Sequence, residues 1–123
     1  MGRKKILLVD DSSTVILMEK MILAKSPYDL VFAKDGQEGV EKAATEKPDL
    51  ILMDVMMPRL TGFEACKRLR AQGNTASIPV IMVTTRGEEQ SVKSGFEAGA
   101  NDYITKPING NELLSKVRGY LGQ

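Results

Sequence analysis

The stretch Ile6-Leu7-Leu8-Val9-Asp10-Asp11, near the start of a 123-residue chain, sets a pattern that the remainder repeats. Its four apolar residues show no polar alternation, as expected of a strand buried on both faces. Two aspartates end it. The segment that follows, residues 12–25, has helical periodicity and places Val15, Met18 and Ile22 on one stripe. A doubly buried strand followed by an amphipathic helix is one βα unit of a parallel sheet.

Four more such units follow. Leu30-Val31-Phe32-Ala33 reads as the second strand, closed by the turn signal Asp35-Gly36. A helix over 37–46 turns Val40, Ala43 and Ala44 inward. Leu50-Ile51-Leu52-Met53 is the third strand, entered through Pro48 and ending at Asp54, and a helix over 63–71 carries Phe63, Cys66 and Leu69. Val80-Ile81-Met82-Val83 is the fourth strand, followed by a sparser helix over 88–98 with Val92, Phe96 and Ala98 to bury. Asp102-Tyr103-Ile104-Thr105 is the fifth, and the last helix, 111–121, carries Leu113, Leu114, Val117 and Leu121. Five βα units are too few for an eight-fold barrel. The expected fold is therefore α/β, an open, doubly wound five-stranded parallel sheet.

Composition narrows the chemistry. There is no His and no Trp, and Cys66 is the only cysteine. Without imidazole there is no Ser-His-Asp or Cys-His hydrolase, and no His- or Cys-rich zinc site. A single cysteine cannot form a disulfide within the chain, which fits a reducing, cytoplasmic setting. The net charge of +1 gives no electrostatic footprint for nucleic acid. The apolar run after Arg3-Lys4-Lys5 is only four residues long, too short for a signal peptide or a membrane span. What remains is carboxylates, hydroxyls, lysine and a hard cation.

Those groups fall in a pattern. Asp10 and Asp11 follow the first strand, Asp54 the third, Thr84 the fourth and Lys106 the fifth. In a parallel sheet all these positions share the carboxyl edge, where such folds bind ligands. Crowded carboxylates resist ionising together without a compensating cation. An all-oxygen cluster suits Mg²⁺. One carboxylate can then attack phosphorus to form an aspartyl phosphate, with the metal and a lysine neutralising the transferring group. Asp54 is the best nucleophile, because it stands alone while Asp10 and Asp11 form a pair. Taken singly, each residue has a plainer reading: Asp10 or Asp11 as a helix cap, Thr84 as an ordinary strand residue, Lys106 as a solvated side chain. Their coincidence at strand ends favours a site.

The chain resembles the response-regulator receiver domains of two-component signalling, in particular the stand-alone chemotaxis-type regulators. The residues that carry the likeness are Val9-Asp10-Asp11, Met53-Asp54-Val55-Met56-Met57-Pro58, Thr61-Gly62, Val83-Thr84 and Tyr103-Ile104-Thr105-Lys106-Pro107. The resemblance implies a flavodoxin-like strand order of 2-1-3-4-5, an order for which a chemotaxis receiver is a standard example. It implies that Asp54 accepts a phosphoryl group from a phosphohistidine on a histidine kinase or phosphotransfer protein. It further implies that Asp11, Asp54 and the Met56 carbonyl ligate Mg²⁺, with Asp10 assisting. The resemblance also implies that Lys106 pairs with Asp54 and then with the phosphoryl group, that Thr84 moves toward that group, and that Tyr103 swings inward behind it. The Lys106-Pro107 bond is expected to be cis, a conformation proline makes accessible.

Three positions are expected to tune the reaction: Met56, Thr85 and Arg86. Thr85 stands where the family commonly has a smaller residue and would narrow the path to Asp54, and Met56 is expected to shield the acyl phosphate from water. On the first helix, Ile16, Leu17 and Met21 lie outside the Val15-Met18-Ile22 stripe, next to Asp10 and Asp11, and are expected to form a docking patch for the kinase or phosphotransfer protein. The fourth helix, fifth strand and fifth helix are expected to form the output face toward a downstream target protein. Cys66 is read as a small core residue, and Gly62 as serving backbone geometry.

The expected whole is a single receiver domain over 1–123 without an output domain, monomeric and cytoplasmic, binding neither nucleic acid nor membrane. It is expected to catalyse only its own phosphorylation and dephosphorylation. The competing readings are a receiver-like interaction module that takes no phosphate, and an aspartyl-phosphate phosphohydrolase. The hydrolase lacks its general acid, since Met56 occupies the position two residues after the nucleophile. The module is disfavoured because the acids, Thr84 and Lys106 are all present. A mononucleotide-binding flavodoxin lacks its Gly-rich loop after the first strand.

Overall fold

The computed structural model describes residues 3–57, 60–85 and 89–122, with the backbone alone for 89–91. Ten elements alternate along the chain: β1 (Lys4–Val9), α1 (Ser13–Leu23), β2 (Tyr28–Ala33), α2 (Gly36–Glu46), β3 (Leu50–Asp54), α3 (Gly62–Ala71), β4 (Val80–Thr85), α4 (Glu89–Glu97), β5 (Asp102–Lys106) and α5 (Gly110–Leu121). The strands form one parallel sheet in the order β2-β1-β3-β4-β5. This is the expected doubly wound architecture.

Strand alternation divides the apolar residues between two cores. Leu7, Val9, Ile51, Met53, Val80 and Met82 point to the side covered by Val40 and Ala43 of α2 and by Ala65, Cys66 and Leu69 of α3. Ile6, Leu8, Leu50, Leu52, Ile81 and Ile104 point to the other, covered by Leu23 of α1 and by Leu113, Val117 and Leu121 of α5. Both faces of β1 and β3 are thus dry, which is why their sequences read as unbroken apolar runs. Polar side chains start the helices: the oxygens of Ser12, Asp35, Thr61 and Asn109 accept from backbone N–H groups three residues on. Asp35-Gly36 is therefore a helix start, with Asp35 as the cap. At Thr61 the bond is reciprocated by Glu64, forming a capping box.

Two core assignments need correction. The inward stripe of α1 is Ile16, Glu19, Ile22 and Leu23, while Met18 is 40% exposed. Seven of the eleven residues in α1 are apolar, so periodicity alone does not single out one face. Phe96 of α4 is 47% exposed where an inward side chain was expected. Instead Gly95 brings the helix onto the sheet, and a Cβ there would stand 3.2 Å from the Met82 side chain.

Arg70 fastens the far end of the sheet. Its guanidinium donates to the carbonyls of Gly99 (2.9 Å), Ala76 (3.1 Å) and Ile78 (2.7 Å) and to Asn101 Oδ1 (2.8 Å). Asn101 in turn accepts from the Val80 backbone at 2.9 Å, so one planar fork joins the loop before β4 to the turn before β5. A lysine carries the charge but not the fork. Arg70→Lys is expected to lower stability by about 1–2 kcal/mol in urea unfolding; an unchanged midpoint would remove the clamp from this account.

Candidate functional site

The carboxyl edge of the sheet gathers the predicted residues. Asp10 follows β1, and its N–H still donates to the Ala33 carbonyl at 3.1 Å. Its Oδ1 accepts from the Ser12 N–H at 2.9 Å, which fixes the turn into α1 while Ser12 caps the helix. The cap is therefore Ser12 and neither aspartate, which leaves Asp10 Oδ2 and the Asp11 carboxylate without a capping role. Asp54 ends β3 opposite Val83, so Thr84 is one residue beyond its partner in the next strand. Lys106 ends β5 opposite Thr85. The Lys106-Pro107 peptide is cis, as expected.

Lys106 Nζ lies 3.0 Å from Asp54 Oδ1 and 3.7 Å from Asp10 Oδ2. Asp10, Asp11 and Asp54 each offer a carboxylate oxygen, all within 4.8 Å of one another. Asp10 and Asp54 are buried, whereas Asp11 is exposed at the mouth. Burial disfavours the ionised carboxylate, and the Asp54 and Asp11 charges nearby add to this, against the Ser12 hydrogen bond and Lys106. The result is an Asp10 carboxyl pushed up from 3.8 to about 6. Asp54 is raised as well, chiefly by burial, with the Lys106 hydrogen bond working against it. For Lys106, burial opposes the charged form, but Asp54 and Asp10 overcome it and hold the ammonium above its ordinary value.

Three buried side-chain oxygens among the described residues have no hydrogen-bond partner: Asp10 Oδ2, Thr84 Oγ1 and Glu19 Oε1. Native proteins leave few such atoms unpaired. Two of the three are at this edge, where hard oxygen donors stand together with one cation. That donor set suits Mg²⁺ and a phosphoryl group.

Gly62 supplies close approach and not a left-handed turn. A Cβ there would fall 2.3 Å from the Asp54 carbonyl, because the loop after β3 folds back against that strand end and Gly62 N–H bonds to Val55 O at 2.9 Å. Of the tuning positions, Met56 is 65% exposed, Thr85 is exposed at the exit of β4, and Arg86 lies outside the described residues. Tyr103 is 36% exposed, on the outer side of β5.

The docking patch is corrected in one member. Ile16 is half-buried, packed against the core on the α1 side. It also lines a hollow of about 420 Å³ with Phe32 and Ala33, beside Asp10 and Asp11. Leu17 and Met21 are 55% and 65% exposed, and with Met18 they make the apolar strip that α1 presents. Glu19 was missed altogether. It is 2% exposed, and the signal that would have found it is the spacing 12, 16, 19, 23, which puts a carboxyl on the inner face of α1.

The fold and this donor set define a receiver, and comparison with known proteins agrees. The family model for the response regulator receiver domain matches residues 6–118. The chain belongs to that family. It is similar to the alkaline phosphatase synthesis transcriptional regulatory protein PhoP of Bacillus subtilis, at 45% identity over 96% of this chain and 48% of PhoP. It is also similar to the protein PilH of Pseudomonas aeruginosa, at 41% identity over 95% of this chain and 97% of PilH. The chain thus spans about half the length of the first relative and nearly all of the second. Among solved structures, the receiver domain of the sensor histidine kinase PA1611 from Pseudomonas aeruginosa, which holds a magnesium ion in its active site cleft, superposes with a TM-score of 0.90 at 30% identity, covering 99% of this chain and 100% of that one. No helix among the described residues is long and apolar enough to cross a membrane.

Proposed function

We propose that this chain is a phosphoryl-accepting switch whose acceptor is Asp54. The observation that carries the reading is the placement of Lys106 3.0 Å from Asp54, with three carboxylates inside 4.8 Å at one sheet edge. An Asp54 oxygen forms a bond to phosphorus as the N–P bond of a partner's phosphohistidine breaks, and the departing imidazole takes up a proton. Lys106 follows the charge from the carboxylate to the phosphoryl oxygens, and the unpaired Thr84 hydroxyl donates to one of them. Asp11, Asp54 and the Met56 carbonyl, with Asp10 assisting, would hold Mg²⁺. When bound, the ion neutralises the oxygens of the transferring group.

The histidine that this chain lacks belongs on the partner, a histidine kinase or phosphotransfer protein. Thr84 and Tyr103 relay the change to α4, β5 and α5, where a downstream target protein reads it. The chain acts on its own side chain and turns over no external substrate.

Incubation with Mg²⁺ and acetyl phosphate, followed by intact mass measurement, tests this. Wild type gains one phosphoryl group and Asp54→Asn gains none; no adduct on wild type favours the module that takes no phosphate. The pH dependence is a second check. Metal ligands must be deprotonated, and burial pushes the Asp10 carboxyl up to about 6. Mg²⁺ affinity is expected to fall as pH drops through about 6, because the Asp10 carboxyl must give up a proton to the solvent when the ion binds, and Asp54, also raised, acts in the same direction. Calorimetry in buffers of different ionisation enthalpy reads that proton directly.

A further inference from the structure

Tyr103 is gripped from two sides. Its ring meets the edge of Phe96, from α4, at a centroid distance of 6.0 Å and an interplanar angle of 87°. The Lys116 ammonium, from α5, stands 5.7 Å from the Tyr103 ring centroid. That lysine is not a freely rotating surface cation, because Asp102 Oδ1 holds it at 2.8 Å. The same Asp102 oxygen accepts from the Tyr103 N–H at 2.8 Å, so the cation is fixed to the residue whose ring it covers. Tyr120 adds a bond to the Asn101 carbonyl at 3.1 Å, tying α5 to the start of β5. Thr105, two residues on, is the register partner of Thr84, whose buried hydroxyl has no bond.

We propose that Lys116 and Phe96 are positioning residues that clamp the Tyr103 ring on the outer face of β5 and thereby set how tightly the domain takes a phosphoryl group. The inference rests on the phosphoryl-accepting reading and on Tyr103 leaving its outer position when the site is filled. An inward turn of the ring breaks the Phe96 and Lys116 contacts together. The free energy of those contacts is then the cost of switching, and apparent affinity rises in proportion to the fraction of molecules already switched. Loosening the clamp raises that fraction and tightens binding at an Asp54 pocket that neither residue touches.

Beryllofluoride, a phosphoryl mimic, is titrated in saturating Mg²⁺ and read by ¹H–¹⁵N spectra. Phe96→Leu and Lys116→Met should each bind it about two- to fivefold tighter than wild type, the factor expected for one exposed ring contact. Lys116→Arg keeps the cation and should bind as wild type does. Mg²⁺ affinity should be equal in all four proteins, since the clamp acts on the switch and not on the acids. In the absence of beryllofluoride, the Tyr103 and Thr84 amide peaks of the first two variants should shift along the line toward the bound position. Phe96 is half exposed, so its replacement leaves the core intact.

Unchanged or weaker binding in both Phe96→Leu and Lys116→Met overturns the clamp. So does an effect confined to Lys116→Met that Lys116→Arg fails to reverse, which would assign it to the Asp102 pair. If wild type itself forms no beryllofluoride complex, it is the phosphoryl-accepting reading that falls.

Discussion

In Lys106→Ala, Mg²⁺ binding at pH 8 is expected to tighten about tenfold while phosphoryl transfer from acetyl phosphate slows at least about a hundredfold. The two effects have opposite signs because one ammonium does two jobs. Before reaction it sits 3.0 Å from Asp54 and 3.7 Å from Asp10, occupying part of the field that a divalent ion would use. A unit charge about 4 Å away is worth about 1 kcal/mol in water and about 4 in a partly shielded protein site. The lysine side chain is 29% exposed, so the value lies nearer the lower end. About tenfold in affinity corresponds to about 1.4 kcal/mol, within that range.

During transfer the same ammonium meets charge that develops on the phosphoryl oxygens, and no other basic side chain among the described residues pairs with Asp54. Loss of one such fixed donor costs about 10²–10³ in rate. The pH matters, because without Lys106 the Asp54 carboxyl, already raised by burial, climbs further and protons compete with metal. Working at pH 8 keeps proton competition lower than at neutral or acid pH. Calorimetry gives the first effect and intact mass against time the second. Weaker Mg²⁺ binding in Lys106→Ala would show that the lysine organises the carboxylates and does not compete for them.

How much of this was legible in the sequence follows from the physics of each part. The strands were legible because a strand dry on both faces has no polar residue to blur its limits, and β1 and β3 are of that kind. The site was legible because a parallel sheet brings every strand's carboxyl end to one edge, so register alone places Asp10, Asp54, Thr84 and Lys106 together. Helix faces were less legible. On α1 seven apolar side chains compete for a face that takes four positions, and the sheet chooses Ile16 and leaves Met18 in solvent. On α4 the chain uses Gly95 for close approach, so the large apolar residue beside it, Phe96, stays outside. Arg70 gave no signal at all, because its partners are mostly carbonyl groups, which every residue has.

Glu19 is the clearest case of residue type misleading. A glutamate on a surface helix is ordinarily solvated, yet this one is 2% exposed and one of its oxygens has no partner. Burial, helped by the charge of Asp10, pushes its carboxyl from 4.5 up to about 8. A carboxyl raised in this way holds its proton more tightly folded than unfolded, so it weakens the fold as pH rises. Below about 4.5 both states are neutral and Glu19 carries no penalty. Between 4.5 and 8 the unfolded chain ionises while the folded one resists, and each unit of pH removes about 1.4 kcal/mol. Above 8 both states are ionised and the loss levels off.

Glu19→Gln removes this term at nearly constant shape. In urea unfolding with EDTA present, the variant should exceed wild type by less than about 1 kcal/mol at pH 5, by about 3 kcal/mol at pH 7 and by a constant larger margin above pH 8. Asp10 and Asp54 also bend the wild-type curve and couple to Glu19, so the difference reports the carboxyl together with its charged neighbours. A difference that does not vary with pH would show that Glu19 is ionised in the folded chain and paired. The Glu19 carboxyl lies where Asp10, Asp54 and Lys106 all feel its charge, so the same exchange bears on the electrostatics of the site beside it as well as on stability.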